Sequence, residues 1–192
     1  MATRKNNTTH RFVAFLGGIN VGGHRVKMAD LCELFTGMGF QDPSTFIASG
    51  NVLFSAGAKM FHGDAAELER RIEARLEEAL GYRVPTYLRT PAEVVAAAEF
   101  QAFPAAGMDA PGHRLHVCFL RRALSREEEK VLFSFETEMD AFRLHERQLY
   151  WLCRGNSMES LVKWPVLTRR LGVTSTARNI TMLRKLAPIC SA

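Results

Sequence analysis

The stretch RFVAFLGGINVGGHRVKMADLCELF, residues 11–35, limits what this chain can fold into more than any other. Phe12, Val13, Ala14, Phe15 and Leu16 form a continuous apolar run of strand length, the pattern of a strand covered on both faces in the middle of a sheet. Four glycines follow at 17, 18, 22 and 23, and only glycine takes positive φ without steric cost. Leu31, Leu34, Phe35 and Met38 then recur at i, i+3, i+4, i+7, which predicts a helix over 28–38 stopped by Gly37 and Gly39. The loop between strand and helix is therefore either a tight irregular turn or a seat for a ligand.

The rest of the chain supplies alternating elements. Phe46, Ala48, Val52 and Phe54 flank Ser49-Gly50-Asn51 as two short strands of a tight hairpin or one strand with a glycine bulge. Leu68, Ile72, Leu76 and Leu80 sit at i, i+4 spacing through a charged segment stopped by Gly81, a surface helix whose Glu and Arg residues read as a solvated face. Val84 to Leu88 reads as a strand, and Thr90-Pro91-Ala92-Glu93 is a capping box opening a short helix to about Phe100. The Pro, Gly and Ala run from Phe103 to Gly112 is the expected linker.

From Arg114 the order repeats. Leu115, Val117 and Phe119 alternate as a strand; Ser125-Arg126-Glu127-Glu128 caps a helix; strands follow near 141–145 and 149–153. A helix started at Pro165 and ended by Gly172 precedes a last one over 180–187. This order predicts an α+β fold: two ferredoxin-like, βαββα-type halves with mainly antiparallel sheets, packed as one unit, over 11–106 and 107–192 behind a disordered tail at 1–10.

Charge is regional. Of 25 Lys and Arg and 20 Asp and Glu in 192 residues, nine cations and two acids fall in 143–192, so that segment is strongly basic while the rest is slightly acidic. Such asymmetry draws anionic partners. The cysteines Cys32, Cys118, Cys153 and Cys190 form no CxxC pair, His113 and His116 would point to opposite strand faces, and no metal or cofactor motif stands out. No apolar run is long enough to span a bilayer and the first ten residues lack a signal-type apolar segment, so a cytoplasmic protein without membrane contact is expected.

Three stretches together, AFLGGINVGG with KMADL behind it, TFIASGNVLFS, and LGVTSTARNITMLRKL, resemble the domain-of-unknown-function family 1697 of uncharacterised bacterial proteins. The resemblance covers about residues 11–187 and implies the same duplicated fold; it carries no activity. Gly17, Ala48, Leu161 and Ile180 stand where that family usually has an arginine, a polar residue, a lysine and an aromatic residue.

The candidate ligand-binding residues are Gly18, Asn20, Gly22 and Gly23 of the glycine loop, Ser49 and Asn51 of the SGN turn, and Arg178 with Asn179 before the last helix. Backbone N–H groups ahead of a helix can cradle phosphate, although GGINVGG matches no nucleotide-binding fingerprint and a structural turn explains the same glycines. Asn20 and Asn51 are equally suited to tying down their own loops, and Asn179 to capping the last helix. These residues favour a binding module for a phosphate-bearing ligand, a nucleotide or nucleic acid. An enzyme acting on a small anionic metabolite through Ser49, Asn51 and Arg178, or a structural interaction protein, are the alternatives. Oligomeric state is not legible.

Overall fold

A computed structural model of the chain describes residues 9–47, 50–104 and 112–191. In order they form β1 (Thr9–Leu16), α1 (Met28–Gly37), β2 (Gln41–Thr45), β3 (Asn51–Gly57), α2 (Ala65–Leu80), β4 (Thr86–Arg89) and α3 (Pro91–Glu99). Then come β5 (His113–Leu120), α4 (Arg126–Phe133), β6 (Asp140–His145), β7 (Gln148–Arg154), α5 (Trp164–Leu171), β8 (Ser175–Asn179) and α6 (Ile180–Ser191). The fold is α+β in two similar halves, each with a four-stranded antiparallel sheet, ordered β2-β3-β1-β4 and β6-β7-β5-β8. By contact the chain divides into Met1–Glu93 and Val94–Ala192, with α3 astride the boundary. The expected tail at 1–10 lies outside the described residues up to residue 8, and Thr9 and His10 already belong to β1; most of the expected linker, 105–111, also lies outside them.

In the first unit β1 is central, and both of its faces are buried as its apolar run predicts. Phe12, Ala14 and Leu16 join Leu31 and Phe35 of α1 and Leu68, Ile72 and Leu76 of α2 in one core. The α2 helix is capped by the Asp64 side chain, which accepts from the Ala66 N–H at 2.8 Å, and ends on Gly81 at φ 78°. Two features depart from the sequence reading. The strand before β3 is Gln41–Thr45 and ends one residue short of Phe46, while Ala48, the other residue expected on it, lies outside the described residues; the sequence QDPST is polar because the strand lies at the sheet edge, where Pro43 is tolerated. Nor is the charged face of α2 wholly solvated, for Glu69 is buried, and its Oε1 accepts from the Leu88 N–H at 2.8 Å while Glu73 Oε1 accepts from Thr86 N–H at 2.7 Å. The two carboxyl groups, one helical turn apart, take up the outward N–H groups of edge strand β4 and close it against further pairing.

The second unit repeats the plan. Cys118 and Leu120 of β5 and Leu149, Trp151 and Cys153 of β7 pack under Leu132 of α4 and Leu167 and Leu171 of α5. On the other sheet face Tyr150 donates its hydroxyl to Ala97 O of α3 at 3.0 Å, and Phe100 lies 5.0 Å from the Tyr150 ring. Both capping boxes form: Thr90 with Glu93, and Ser125 with Glu128, whose carboxyl also holds Arg122. Strand β8 is the element that the sequence reading lacks, and it places Arg178 and Asn179 in a sheet rather than at a bare helix start.

Register exposes a residue-level repeat. β1 and β5 end on Val-Ala-Phe-Leu and Val-Cys-Phe-Leu, and the final N–H of each goes to the same neighbour: Leu16 N–H to Gly50 O at 2.8 Å, Leu120 N–H to Arg147 O at 2.9 Å. Arg89 pairs with Val13 and Arg178 with Val117, so the buried arginines of β4 and β8 occupy equivalent positions.

Candidate functional site

The glycine loop and the SGN turn meet in the first unit. Gly18, Gly22 and Gly23 have φ of 70°, 69° and 92°, as a loop built on glycine requires. Several of its groups are tied down within the first unit: Asn20 Oδ1 accepts from Val26 N–H at 2.8 Å, Tyr82 donates its hydroxyl to Ile19 O at 2.8 Å, and His24 stacks on Tyr82 with centroids 3.8 Å apart. Asn51 is buried and its Nδ2 donates to Phe46 O at 3.0 Å, closing the β2–β3 connection, and Gly50 packs against Leu16 and Ile19. Ser49 lies outside the described residues. The loop and the turn are thus joined through Leu16, Ile19 and Gly50, and both asparagines serve the backbone, one of the two roles their residue type allows.

Arg178 and Asn179 belong to the second unit. Arg178 is only 8% exposed, its Nη1 donating to Thr176 Oγ1 at 2.8 Å and to Ala177 O at 2.9 Å. Burial lowers its guanidinium to about 10, which leaves it charged at neutral pH. Asn179 Oδ1 accepts from Thr181 N–H at 2.8 Å and so caps α6, while the residue also lines two concavities.

Those concavities form a polar site. One, of about 430 Å³, is lined by Gly112, Arg114, His116, Asn156, Ser157 and Asn179. A second, of about 250 Å³, shares Arg114 and Asn179 with it and adds His113, Thr181 and Arg184. Neither lining contains an Asp or Glu. The first turn of α6 brings the positive end of a twelve-residue helix to the same place. Arg114, His116 and Asn179 share a sheet face because β5 side chains alternate and His116 pairs with Asn179.

His116 stacks on Trp151, with centroids 4.9 Å apart, and its Nε2 is shielded from solvent without a hydrogen-bond partner among the described residues. Burial, with Arg114 adding to it, holds the imidazole below its ordinary 6.5. The folded state therefore binds this proton less readily than the unfolded chain. The stability it contributes is present above pH 6.5 and is lost as pH falls through the lower folded value. His116→Phe, which keeps a ring on Trp151, is expected to flatten the decline of melting temperature between about pH 7 and 5; an unchanged pH profile would rule His116 out as its source.

Elsewhere chemistry is sparse. Burial pushes the Cys118 thiol up to about 12, which removes it as a thiolate nucleophile. Among the described residues no three His, Cys, Asp or Glu side chains are placed to hold a metal ion, and no helix is long and apolar enough to cross a membrane. Arg114 and Arg184, the exposed cations of the polar site, were not singled out by sequence, Arg114 because it sits in no motif and Arg184 because nothing sets it apart within LGVTSTARNITMLRKL. The available signal was their place beside Asn179, which becomes visible only once 175–179 is known to be a strand paired with β5.

The family described as Protein of unknown function (DUF1697) matches residues 9–150. A solved structure of a conserved bacterial protein from Streptococcus pneumoniae is similar at 22% identity with a TM-score of 0.70, covering 95% of this chain and 99% of that one. That likeness concerns the fold. Among curated proteins none matches the chain.

Proposed function

The chain belongs to the DUF1697 family, which brings no activity with it, and from that premise we propose that it is a binding module for a small phosphate-bearing ligand held at Arg114, Asn179 and Arg184. One observation carries the reading: two adjoining concavities, where residues of the basic segment 143–192 meet residues 112–116, are lined by arginines, amides and hydroxyls with no acid, at a helix N-terminus. Arginine offers a planar fork matched to phosphate oxygens, and an anion gains from the helix dipole as well. A volume of about 430 Å³ suits a ligand of nucleotide size. Arg178 supports the site from β8 rather than reaching into it, because its guanidinium is withdrawn to the strand backbone.

The glycine loop is the second place for such a ligand, and its asparagines weaken the case, since both are committed to loop carbonyl and N–H groups. The enzyme alternative would need a general acid or base. His116 is the titrating group in the concavity, and its shielded Nε2 does not suit proton exchange with a ligand.

Calorimetric titration with inorganic phosphate and with AMP tests the proposal. Losing a charge-assisted contact of about 1.5–3 kcal/mol, Arg114→Ala should weaken AMP binding by roughly tenfold or more, whereas Arg169→Ala should change it by less than about twofold. Equal losses would reduce the site to general electrostatics, and loss in Gly22→Ala alone would move it to the glycine loop. Absence of AMP binding at low salt would end the reading.

A further inference from the structure

The two equivalent sheet edges are treated differently by the chain. Leu16 pairs with Thr86 and Ala14 with Leu88 in the first sheet, while Leu120 pairs with Ser175 and Cys118 with Ala177 in the second. Since the Leu16 and Leu120 N–H groups both turn to the far neighbour, the two ladders have the same phase. Thr86 and Leu88 therefore direct their N–H groups outward, and so do Ser175 and Ala177. Glu73 and Glu69 receive the first pair. No described side chain receives the second pair.

The cause lies in the helices. α2 has sixteen residues and covers the β4 side, leaving Leu88 1% exposed; α5 has eight, carries no acid, and leaves Ala177 exposed. An outward edge with free donors is a template for another strand, and soluble proteins ordinarily cover or charge it. Here the helices that precede and follow β8 carry Arg169, Arg170, Arg184 and Lys185 and no acid.

We propose that the outer edge of β8 docks an extended acidic peptide segment of a partner protein, which adds a strand to the second sheet. Its carbonyl groups accept from Ser175 and Ala177 N–H, in the places that Glu73 and Glu69 fill on β4, and its carboxylates lie in the field of the basic C-terminal region. A second copy of this chain is disfavoured as occupant, because edge-to-edge pairing would bring two basic surfaces together. The proposal rests on the backbone edge and stands apart from the anion site at Arg114.

Fluorescence anisotropy with a labelled peptide of about ten residues alternating Glu and Val tests it. Proline at 177 removes only an outward donor, which an edge strand tolerates. Ala177→Pro should weaken peptide binding by about tenfold while leaving phosphate binding and the melting temperature unchanged. The same peptide N-methylated along its pairing edge should lose affinity to a similar degree, and a Lys-Val counterpart should not bind. Equal binding of the methylated and unmethylated acidic peptides would overturn the proposal whether or not the proline variant folds, since charge alone would then explain attachment. A dimer in sedimentation that Ala177→Pro dissolves would overturn it in favour of self-pairing.

Discussion

Gly50→Ala is expected to cost the protein about 3 kcal/mol, whereas Gly22→Ala should cost about 1 kcal/mol, although the two glycines have the same backbone conformation. Their φ values are 70° and 69°, so the strain of placing an L residue in the left-handed region is common to both. They differ in what a Cβ would meet. At Gly22 nothing lies within 4 Å, while at Gly50 it would fall 2.6 Å from Ile19 Cγ2 and 3.2 Å from Leu16 Cβ. Ile19 is buried, and Gly50 O accepts the last N–H of the central strand, so neither partner yields without disturbing the core or the ladder. At about 2–4 °C per kcal/mol for a chain of this size, Gly50→Ala should lower the melting temperature by roughly 6–12 °C and Gly22→Ala by a third of that. Equal melting temperatures would mean that Ile19 swings aside freely, and that the two family stretches meet without constraining each other.

How far sequence reached depended on whether an element's signal was local. The apolar run of β1, the Leu68, Ile72, Leu76 stripe of α2 and the two capping boxes each follow from neighbours within one or two turns, and each stands where it was read. Strands β2 and β8, QDPST and STARN, had no such signal, since edge strands need bury only part of one face and carry few apolar residues. Glu69 was misplaced for the complementary reason: its burial is set by the N–H of Leu88, nineteen residues away, which helix periodicity does not report. The positive φ at Gly22 and Gly23 and the cap at Asn179 were legible from residue type. The concavity beside Asn179 was not, because Arg114 reaches it from another strand. The position of Arg178 likewise depends on strand alternation in an element without a hydrophobic pattern.

Asp140 concentrates long-range dependence in one side chain, and its loss is the second large effect expected. The residue is fully buried at the start of β6. Its Oδ1 accepts from Trp151 Nε1 and from Ser160 Oγ, each at 2.8 Å, and its Oδ2 accepts from Thr137 Oγ1 at 3.0 Å. Ser160 Oγ in turn receives the Val162 N–H at 3.1 Å, so one carboxyl orients the core indole and fixes the segment leading into α5. Asp140→Ala leaves a buried indole N–H and two hydroxyls without this acceptor, and about 3 kcal/mol or more of stability should go with it. Asp140→Asn retains Oδ1 for Trp151 and Ser160 but turns an amide toward Thr137, whose Oγ1 already accepts the Met139 and Asp140 N–H groups at 3.2 and 2.9 Å, so the Thr137 bond alone is lost and the cost should be about half as large. Ser160→Ala, which removes one spoke, should cost about 1 kcal/mol. Chemical denaturation of the three variants would show this ranking. If Asp140→Asn were as damaging as Asp140→Ala, retention of Oδ1 would not be what matters, and the Trp151 and Ser160 bonds would be incidental to the fold.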